Sequence, residues 1–222
     1  DNNILLSDVS LRFATQGVAM VHNLICGALT DVGGGTAPRY TPYHIPHRTE
    51  VMGFMTFLHG DDRFYNNIFV QKYPAQDVIT RHDSDDGFDS ENRVVGTWTF
   101  DEYPSFEEWS AQFDFSKPAN MKALEPAHFG HLPVWSEGNL YLGGAKAWKK
   151  EVNGQVVEGS PEDIRVEVVE KDGKYYLDTN VYEFLGDFSD RMINTEILGK
   201  AFEPEQYFEN PDRTPITFNT DY

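Results

Sequence analysis

A short phrase recurs along this chain: an asparagine followed by two or three mostly apolar residues. It occurs at Asn3, Asn23, Asn67 and Asn139, in the segments NILL, NLIC, NIFV and NLYL. The first two asparagines are 20 residues apart, and Asn67 lies 44 residues beyond Asn23, or two steps of 22. Short strands that recur roughly every 20 to 25 residues predict a β-solenoid, in which each coil stacks on the next. Four unrelated strands of a β-sandwich are the alternative.

The asparagine and the apolar residue after it have separate roles in such a coil. Asparagine tolerates the left-handed backbone of a corner, and its amide can hydrogen-bond the equivalent asparagine one coil along. The isoleucine or leucine that follows should point into the core. We therefore expect residues 1–70 to form coils of an all-β protein, a parallel β-helix.

The rhythm stops after residue 70. Residues 81–92 form an acidic, glycine-containing stretch instead of an apolar strand. Ser105 and Glu108 then have the spacing of a capping box, which predicts a short helix with an apolar stripe of Phe106, Trp109 and Phe113. We therefore expect residues 71–133 to leave the solenoid as an excursion of loop and short helix.

The last third of the chain has turn signals typical of antiparallel hairpins. Asn153-Gly154 and Asp172-Gly173 each stand between β-rich segments, and both dipeptides favour type I′ turns. The segment EPEQYFE predicts a further short helix near the C-terminus. A solenoid needs its last coil covered, because an open edge would pair with other chains. We expect residues 134–222 to hold the last coil and the capping hairpins, within one structural domain.

The N-terminal side of the chain gives a different expectation. The sequence opens within a strand-like segment, DNNILLS, in which Ile4, Leu5 and Leu6 follow directly after polar residues. No capping segment stands before them. We expect this first coil to be uncapped, with its partner coils upstream in the same polypeptide or in a separate chain. The domain would then be incomplete at its N-terminal side.

Charge and composition exclude several classes of binding partner. The net charge is −18 and the isoelectric point is near 4.6, so the electrostatic field repels nucleic acid and anionic lipid. No apolar stretch approaches the roughly 20 residues of a membrane helix, so no membrane partner is expected. The single cysteine, Cys26, excludes an intrachain disulfide, and its apolar neighbours predict a buried, inert thiol. One unpaired cysteine and the lack of a signal peptide favour a cytoplasmic location.

The densest polar stretch is APRYTPYHIPHRTEV, at residues 37–51. Its three prolines keep it extended and non-helical, which predicts a long loop between coils. Tyr43, His44, His47 and Arg48 could form the rim of a sugar-binding site, with donors for hydroxyl groups and an aromatic face for the C–H side of a ring. A metal site at His44 and His47 is less favoured, because residues three apart in an extended segment point to opposite sides. The side chains could also serve only to hold the loop.

Two further places carry candidate binding groups. Arg12 and Gln16 could reach a groove beside the first coil, although an ion pair within the solenoid would explain Arg12 equally well. An acidic loop could hold calcium or be a solvated surface; its carboxylates are Asp83, Asp85, Asp86, Asp89 and Glu91. Its spacing departs from the EF-hand pattern, because Gly87 stands where a ligand is expected. No catalytic triad, phosphate loop, zinc spacing or dinucleotide fingerprint can be read from the sequence.

Longer phrases give the chain a family resemblance. DNNILLS, QGVAMVHNLICG, TPYHIPHRTEV, GDDRFYNNIFV, LPVWSEGNLYLGGAKAWKKE and LGKAFEPEQYFENPDRTPITFNTDY resemble the C-terminal part of β-xylosidases of glycoside hydrolase family 120. The resemblance runs from Asp1 to Tyr222 and is densest at residues 37–70 and 132–150. It implies a right-handed parallel β-helix.

The resemblance also implies an activity. Members of that family release terminal xylose from xylobiose and short xylo-oligosaccharides with retention, through a covalent glycosyl-enzyme intermediate and without a cofactor. Their nucleophilic aspartate and acid/base glutamate lie just before the segment that corresponds to DNNILLS. No residue of this chain is therefore assigned a catalytic role, and we expect the 222 residues alone to be inactive. Arg12, Gln16 and the loop at 41–50 would lie beside the site, and the family resemblance implies a homo-oligomer.

Two other functions stay open from the sequence. A non-catalytic β-helix module that binds carbohydrate or builds an assembly would have a complete N-terminal cap and would prefer polymers to short oligosaccharides. A calcium-dependent polysaccharide lyase would need an ordered ion and a lysine or arginine base in a cleft. Fold analogy alone does not separate these functions from a glycosidase.

Overall fold

The structure is a computed structural model that describes residues 1–31, 40–44, 49–56, 58–74, 94–113, 116 and 130–185, with the backbone alone at 40–44 and 52–56. The strands are β1 Ile4–Leu5, β2 Val9–Phe13, β3 Gln16–Val21, β4 Leu24–Ile25, β5 Ala28–Asp31, β6 Tyr40–His44, β7 Val51–Thr56, β8 Gly60–Tyr65, β9 Ile68–Val70, β10 Val134–Glu137, β11 Leu140–Leu142, β12 Gln155–Val156, β13 Val166–Lys171 and β14 Lys174–Thr179. One short helix, α1 Phe106–Ser110, and three 3₁₀ turns, Trp98–Phe100, Pro161–Asp163 and Val181–Phe184, complete the described elements. The protein is mostly sheet, as an all-β fold requires.

Most of these strands pair in parallel. Within the described residues, β1, β4, β9, β11 and β12 form one sheet in that order, and each neighbouring pair is parallel. β3, β8 and β10 form a second parallel sheet with β8 in the middle, and β2 pairs in parallel with β5. The chain therefore passes through the three sheets in the same order twice, as β1, β2, β3 and then as β4, β5, β8. Parallel stacking of this kind fits a β-helix.

The apolar residues after the recurring asparagines lie directly on one another. Leu24 pairs with Ile4 on one side and with Ile68 on the other. One position later, the ring of Phe69 stacks on that of Tyr141, with centroids 5.1 Å apart and planes at 7°. Both rings are fully buried. The predicted stacking of the repeated phrases is confirmed, and the alternative of four unrelated sandwich strands is wrong for them.

The recurring asparagines form a continuous hydrogen-bonded ladder (Asn3, Asn23, Asn67 and Asn139), which we call the asparagine ladder. The backbone N–H and the side-chain amide of Asn23 both donate to Oδ1 of Asn67, over 3.0 and 2.9 Å. Asn3 makes the same pair of bonds to Asn23, and Asn67 makes it to Asn139. Asn139 donates instead to Oε1 of Glu151, over 3.1 and 3.0 Å. The predicted bond from one coil to the next is confirmed, and a carboxylate ends the series.

The left-handed corner falls one residue earlier than predicted. The φ angle is 54° at Asn2, 54° at His22, 50° at Asn66 and 70° at Gly138, each the residue before a ladder asparagine. The prediction that the ladder asparagine itself takes this conformation is wrong, because its backbone N–H and its side chain both have to face the next coil. At Gly138 a Cβ would lie 2.4 Å from Oδ1 of Asn66, so a larger residue there would require the Asn66 side chain to move.

The two glycine turns in the last third of the chain differ. At Asp172-Gly173, β13 and β14 form the predicted antiparallel hairpin, with φ of 54° and 72° at the two turn residues. The predicted hairpin at Asn153-Gly154 is wrong, because β12, which follows it, pairs in parallel with β11. Val152 also pairs in parallel with Glu137. This segment therefore adds another layer to the stack instead of covering it.

Residues 40–44 of the proline-rich stretch form a strand where a loop was predicted. Residues 40–44 are extended, as the prolines indicated, but they pair antiparallel with β7. Pro42 lies within β6 opposite Phe54. Proline is tolerated in an edge strand, because the missing N–H can face away from the ladder. The two strands form a hairpin inserted between β5 and β8.

The excursion contains the predicted helix and also part of the core. The Ser105 side chain accepts from the backbone of Glu108, and the Glu108 carboxylate accepts from the backbone of Ser105, so the capping box is confirmed. The ring of Phe100, fully buried, lies 5.1 Å from Phe13 and 5.1 Å from Phe64. The residues around Phe100 therefore fill the interior of the stack and do more than decorate it. The boundaries at residues 70 and 133 stay predictions, and the calcium-loop candidate and the helix expected in EPEQYFE lie outside the described residues.

The first strand of the described stack is only partly covered. Ile4 in β1 is 53% exposed, while Leu5 and Leu6 pack against two separate core clusters. In the part of the chain that the structure describes, β1 pairs with β4 alone. Cys26 is buried, and burial raises the pKa of its thiol to about 12, which confirms the predicted inert cysteine.

Candidate functional site

The structure places four of the six predicted binding residues on three strands. Arg12 is exposed in β2, where it pairs with Thr30, and Gln16 is exposed at the start of β3, opposite Gly60. Tyr43 and His44 lie in β6, where the structure describes the backbone alone. His47 and Arg48 lie outside the described residues. Gln16 is therefore the predicted residue whose surroundings the structure defines best.

Gln16 lies beside the start of β8, where the backbone takes an uncommon path. Its Oε1 accepts from the backbone N–H of Leu58, over 3.2 Å. The next three residues are all left-handed, with φ of 57° at His59, 92° at Gly60 and 61° at Asp61. A non-glycine residue in this region costs on the order of 1–3 kcal/mol, and such residues cluster at functional sites. A Cβ at Gly60 would lie 2.4 Å from the carbonyl oxygen of Leu132, so glycine is required there.

The strand that follows begins with a buried ion pair. Arg63 Nη1 lies 2.7 Å from Oδ1 of Asp61 and donates to the Asp61 carbonyl oxygen over 2.9 Å. The two side chains are almost completely buried. Removing either partner alone would leave a buried charge uncompensated, which typically costs about 3–5 kcal/mol. The pair fixes the side chain of Arg63 against the outer face of the sheet.

Asp62 points to the opposite face, into the stack. Its register partners are Val18 in β3 and Val134 in β10, and its Oδ1 accepts from the backbone N–H of Val18 over 3.1 Å. Burial raises the pKa of Asp62 to about 8, and the negative charges of Asp61 and Asp31 act in the same direction. The side chain of Asp62 is therefore mostly protonated at neutral pH.

A second carboxylate lies close by, at the end of β5. The hydroxyl of Tyr103 donates to Oδ2 of Asp31 over 2.6 Å, and Nδ1 of His59 lies 3.9 Å from Oδ1 of Asp31. The ring of His131 stacks on Tyr103, with centroids 4.0 Å apart. Burial lowers the pKa of His59 although Asp31 opposes this, so the imidazole favours its neutral form. Burial and the bond to Asp31 raise the pKa of Tyr103.

This polar cluster contains the ingredients of acid/base chemistry in a closed setting. Asp62 favours its neutral form, whereas the neighbouring Asp61 is paired with Arg63. Two carboxyl groups whose environments favour different protonation states can take separate roles in acid/base catalysis. Asp61 and Asp62 are 2% and 1% exposed, however, so no sugar reaches either group in this structure. The cluster instead fixes the side chain of Arg63 and the backbone at the start of β8, which pairs with the exposed Gln16.

The sequence reasoning missed this cluster. The phrase HGDDR contains four ionisable side chains in five residues, directly before the segment FYNNIFV. In a strand whose neighbours on both sides are apolar, one of two successive aspartates has to face inward. That signal was available, because β8 falls within the region already predicted to form coils.

Changing Asp62 to asparagine should flatten the dependence of stability on pH. The folded chain keeps a proton on Asp62 up to about pH 8, while the unfolded chain releases it near the ordinary value of 3.8. The folded state thus binds more protons between these values, and the free energy of unfolding falls as pH rises through that window. The slope from this one group reaches about 1.4 kcal/mol per pH unit.

Urea unfolding at pH 5, 6, 7 and 8 measures this effect. The D62N variant should lose the part of the pH slope that comes from Asp62. It should keep the hydrogen bond from Val18, since an amide oxygen also accepts. Any slope that remains comes from other groups, because burial raises the pKa of Glu151 and lowers that of His59, and these two shifts act on stability in opposite directions. As a control, E170Q changes an exposed side chain on β13 and should leave the slope unchanged. An unaltered slope in D62N would contradict the assignment.

Neither a metal site nor a membrane helix is found in the described ranges. No group of three or more histidine, cysteine, aspartate or glutamate residues there has the geometry to hold a metal ion. Among the same residues, no helix is long and apolar enough to cross a bilayer.

Comparisons with known proteins give one informative relation. No protein-family model matches the chain, and no curated protein matches it. A solved structure described as the complex structure of XylC with xylose matches with a TM-score of 0.56 and 29% sequence identity. The match covers 79% of this chain and 24% of that chain, so this chain corresponds to about a quarter of that protein. The chain is therefore similar, in fold and in sequence, to part of a protein whose structure contains xylose.

Proposed function

We propose that this chain is the C-terminal part of a retaining β-xylosidase of glycoside hydrolase family 120, which releases xylose from xylobiose and short xylo-oligosaccharides. The observation that carries the proposal is the match to XylC with xylose, at 29% identity over 79% of the chain. The resemblance of the long sequence phrases points the same way. The fold that goes with this function is a right-handed parallel β-helix, and the parallel sheets fit it.

The proposal places the catalytic carboxylates upstream of this chain. The matched region corresponds to a quarter of XylC, which leaves most of that protein without a counterpart here. One edge of β1 has no paired strand in the described part of the chain, and Ile4 is 53% exposed. A further coil, in the same or a separate polypeptide, would pair with this edge and cover Ile4. A homo-oligomer in the cytoplasm remains our proposal for the whole protein.

Within that enzyme, this chain would supply one wall of the xylose site. Gln16 is exposed at a backbone held by three left-handed residues, and Arg12 is exposed on the preceding strand. Tyr43 and His44 lie in β6, and His47 and Arg48 follow them in the sequence. In this proposal these side chains bind the substrate, no cofactor takes part, and water completes the second step of a double displacement.

Hydrolysis of p-nitrophenyl β-xyloside tests the proposal. The 222-residue chain should release no p-nitrophenol, whereas a polypeptide that also carries the upstream coils should do so. Proton NMR at early times should then show β-xylose as the first product, because a retaining enzyme keeps the anomeric configuration. Turnover by the 222 residues alone would overturn the placement of the catalytic residues. Inactivity of the longer polypeptide would favour a non-catalytic carbohydrate-binding β-helix.

A further inference from the structure

A cleft lies between helix α1 and the outer face of the sheet formed by β3, β8 and β10. Its volume is about 380 Å³, near the lower end of small-molecule sites, which span about 300–1,000 Å³. Aromatic side chains and carboxylates dominate its lining; among them are Phe106, Trp135, Trp148, Glu107, Glu108 and Glu137. The cleft is separate from the predicted residues Arg12 and Gln16, neither of which lines it.

Trp135, one of the two rings in the aromatic floor of the cleft, is held by its neighbours. The ring of Trp135 lies under the guanidinium of Arg63, whose central carbon is 4.3 Å from the ring centroid. Arg63 is itself fixed by its buried ion pair with Asp61. Phe106 stacks on Trp135 at 26° with centroids 6.1 Å apart, and it is 45% exposed. An exposed aromatic face that is fixed in advance suits the C–H side of a sugar ring, because little side-chain freedom is lost on binding.

Polar groups around this floor offer hydrogen bonds to hydroxyls. Lys150 pairs with Glu108 on one side and donates to the carbonyl oxygen of Tyr103 over 3.0 Å. Oε1 of Glu137 accepts from the side chain of Asn153 over 3.0 Å, and because a carboxylate has about four lone-pair sites, Glu137 can accept a further bond from a hydroxyl. Trp148 also lines the cleft but is only 3% exposed, so it closes the cleft without offering it a hydrogen-bonding group.

The charges of the lining select the kind of sugar. Three glutamates, Glu107, Glu108 and Glu137, line the cleft, against one lysine, Lys150, which is already paired with Glu108. An anionic ligand would meet net repulsion here. A uronic acid or a phosphorylated sugar is therefore disfavoured, and a neutral sugar is favoured.

We propose that this cleft binds a neutral xylo-oligosaccharide at a second site, with a sugar ring on Phe106 and Trp135. The choice of xylose rests on the proposed function, while the site itself rests on the geometry of the cleft. A substrate chain held here stays close to the enzyme between successive cleavages. Binding does not require the catalytic residues, so the 222-residue chain carries the whole site.

Calorimetric titration of the 222-residue chain with xylotetraose tests the site. Phe106→Ala removes the exposed ring while the capping box of Ser105 and Glu108 stays intact, and it should weaken binding about tenfold or more. The control Tyr175→Ala removes a tyrosine that is 74% exposed on β14, outside the cleft, and it should leave binding unchanged. Circular dichroism checks that both variants keep the fold. A xylotetraose chain that carries glucuronic acid should bind about tenfold more weakly, and E107Q should recover part of that loss.

The outcomes separate this proposal from the function above. The proposed binding site would be overturned if xylotetraose did not bind at millimolar concentration, or if F106A and the unaltered chain bound it equally well. Binding that depends on Phe106 would support it even if the longer polypeptide failed to hydrolyse p-nitrophenyl β-xyloside, and that failure would overturn only the proposed activity. Tighter binding of the glucuronate-bearing chain would contradict the charge argument and with it the proposal.

Discussion

Gly96→Ala should destabilise the folded protein by more than about 4 kcal/mol, the range reserved for severe core disruptions. Gly96 has φ of 125°, a conformation that side chains rarely adopt. A Cβ there would lie 2.0 Å from the carbonyl oxygen of Lys146 and 2.8 Å from its carbonyl carbon. These atoms are backbone, and the two residues pair in a parallel bridge, so neither can move without breaking it. Urea unfolding followed by circular dichroism measures the loss.

Gly144→Ala is the matched control for this prediction. Gly144 also has a positive φ, 96°, but a Cβ there would meet no atom within 4 Å. The variant therefore bears the conformational cost alone, about 1–2 kcal/mol. If G96A and G144A lost equal stability, the close approach to Lys146 would not be what matters at Gly96.

Asn67→Leu should cost about 3–5 kcal/mol, because it removes the middle of the asparagine ladder. Asn67 is fully buried. Its Oδ1 accepts two bonds from Asn23, and its side-chain amide donates to the carbonyl oxygen of Met20 over 2.8 Å and to Asn139 over 3.0 Å. Leucine has a similar size, so the loss comes from buried polar groups left without partners. Thermal unfolding and urea unfolding both report it.

Asn3→Leu provides the comparison within the same ladder. Asn3 is exposed, so the groups that it leaves behind are nearer to water. We expect this variant to lose about 1 kcal/mol or less, in line with a partly exposed hydrogen bond. A loss as large as that of N67L would show that solvent exposure does not moderate the ladder, and our account of it would fail.

The repeated asparagines made the parallel stack predictable, because a strict chemical repeat needs an equivalent environment in each coil. The sequence could not show that the left-handed residue precedes the asparagine, since His22 and Asn66 have little in common with Gly138 as residue types. The capping box at Ser105 was predictable for the same local reason: it is completed within four residues. A structure marked by a sequence repeat, or completed within a few residues, could therefore be predicted.

Long-range pairings that no sequence repeat marks could not be predicted. Asn153-Gly154 has the local chemistry of a hairpin turn, but the edge of β11 was available, and β12 joined it in parallel. A tertiary partner overrode the local preference there. At Asp172-Gly173 the following strand pairs antiparallel with β13, so the local preference is realised.

The predicted binding residues stay predictions. Gln16 was predicted from its place on the first turn, and it does lie beside the uncommon backbone at the start of β8. The buried set around Asp62 was missed, because charge along a strand usually indicates a solvated face. Its burial depends on Tyr103 and His131, which come from the excursion far along the chain. No local pattern brings those residues to Asp31.

The side-chain hydrogen bonds of the asparagine ladder all run in one direction along the stack and end at the carboxylate of Glu151. Each ladder asparagine offers protons to the layer after it and an oxygen to the layer before it, so any layer of this type can be duplicated or deleted between Asn3 and Asn139 without altering the chemistry of its neighbours. Glu151 only receives, and its oxygens are already shared with Asn139, Ser136 and Tyr141. A duplicated inner coil would therefore keep the side-chain hydrogen bonds of its neighbours, whereas a coil added beyond Glu151 would need a donor in its place to continue the ladder.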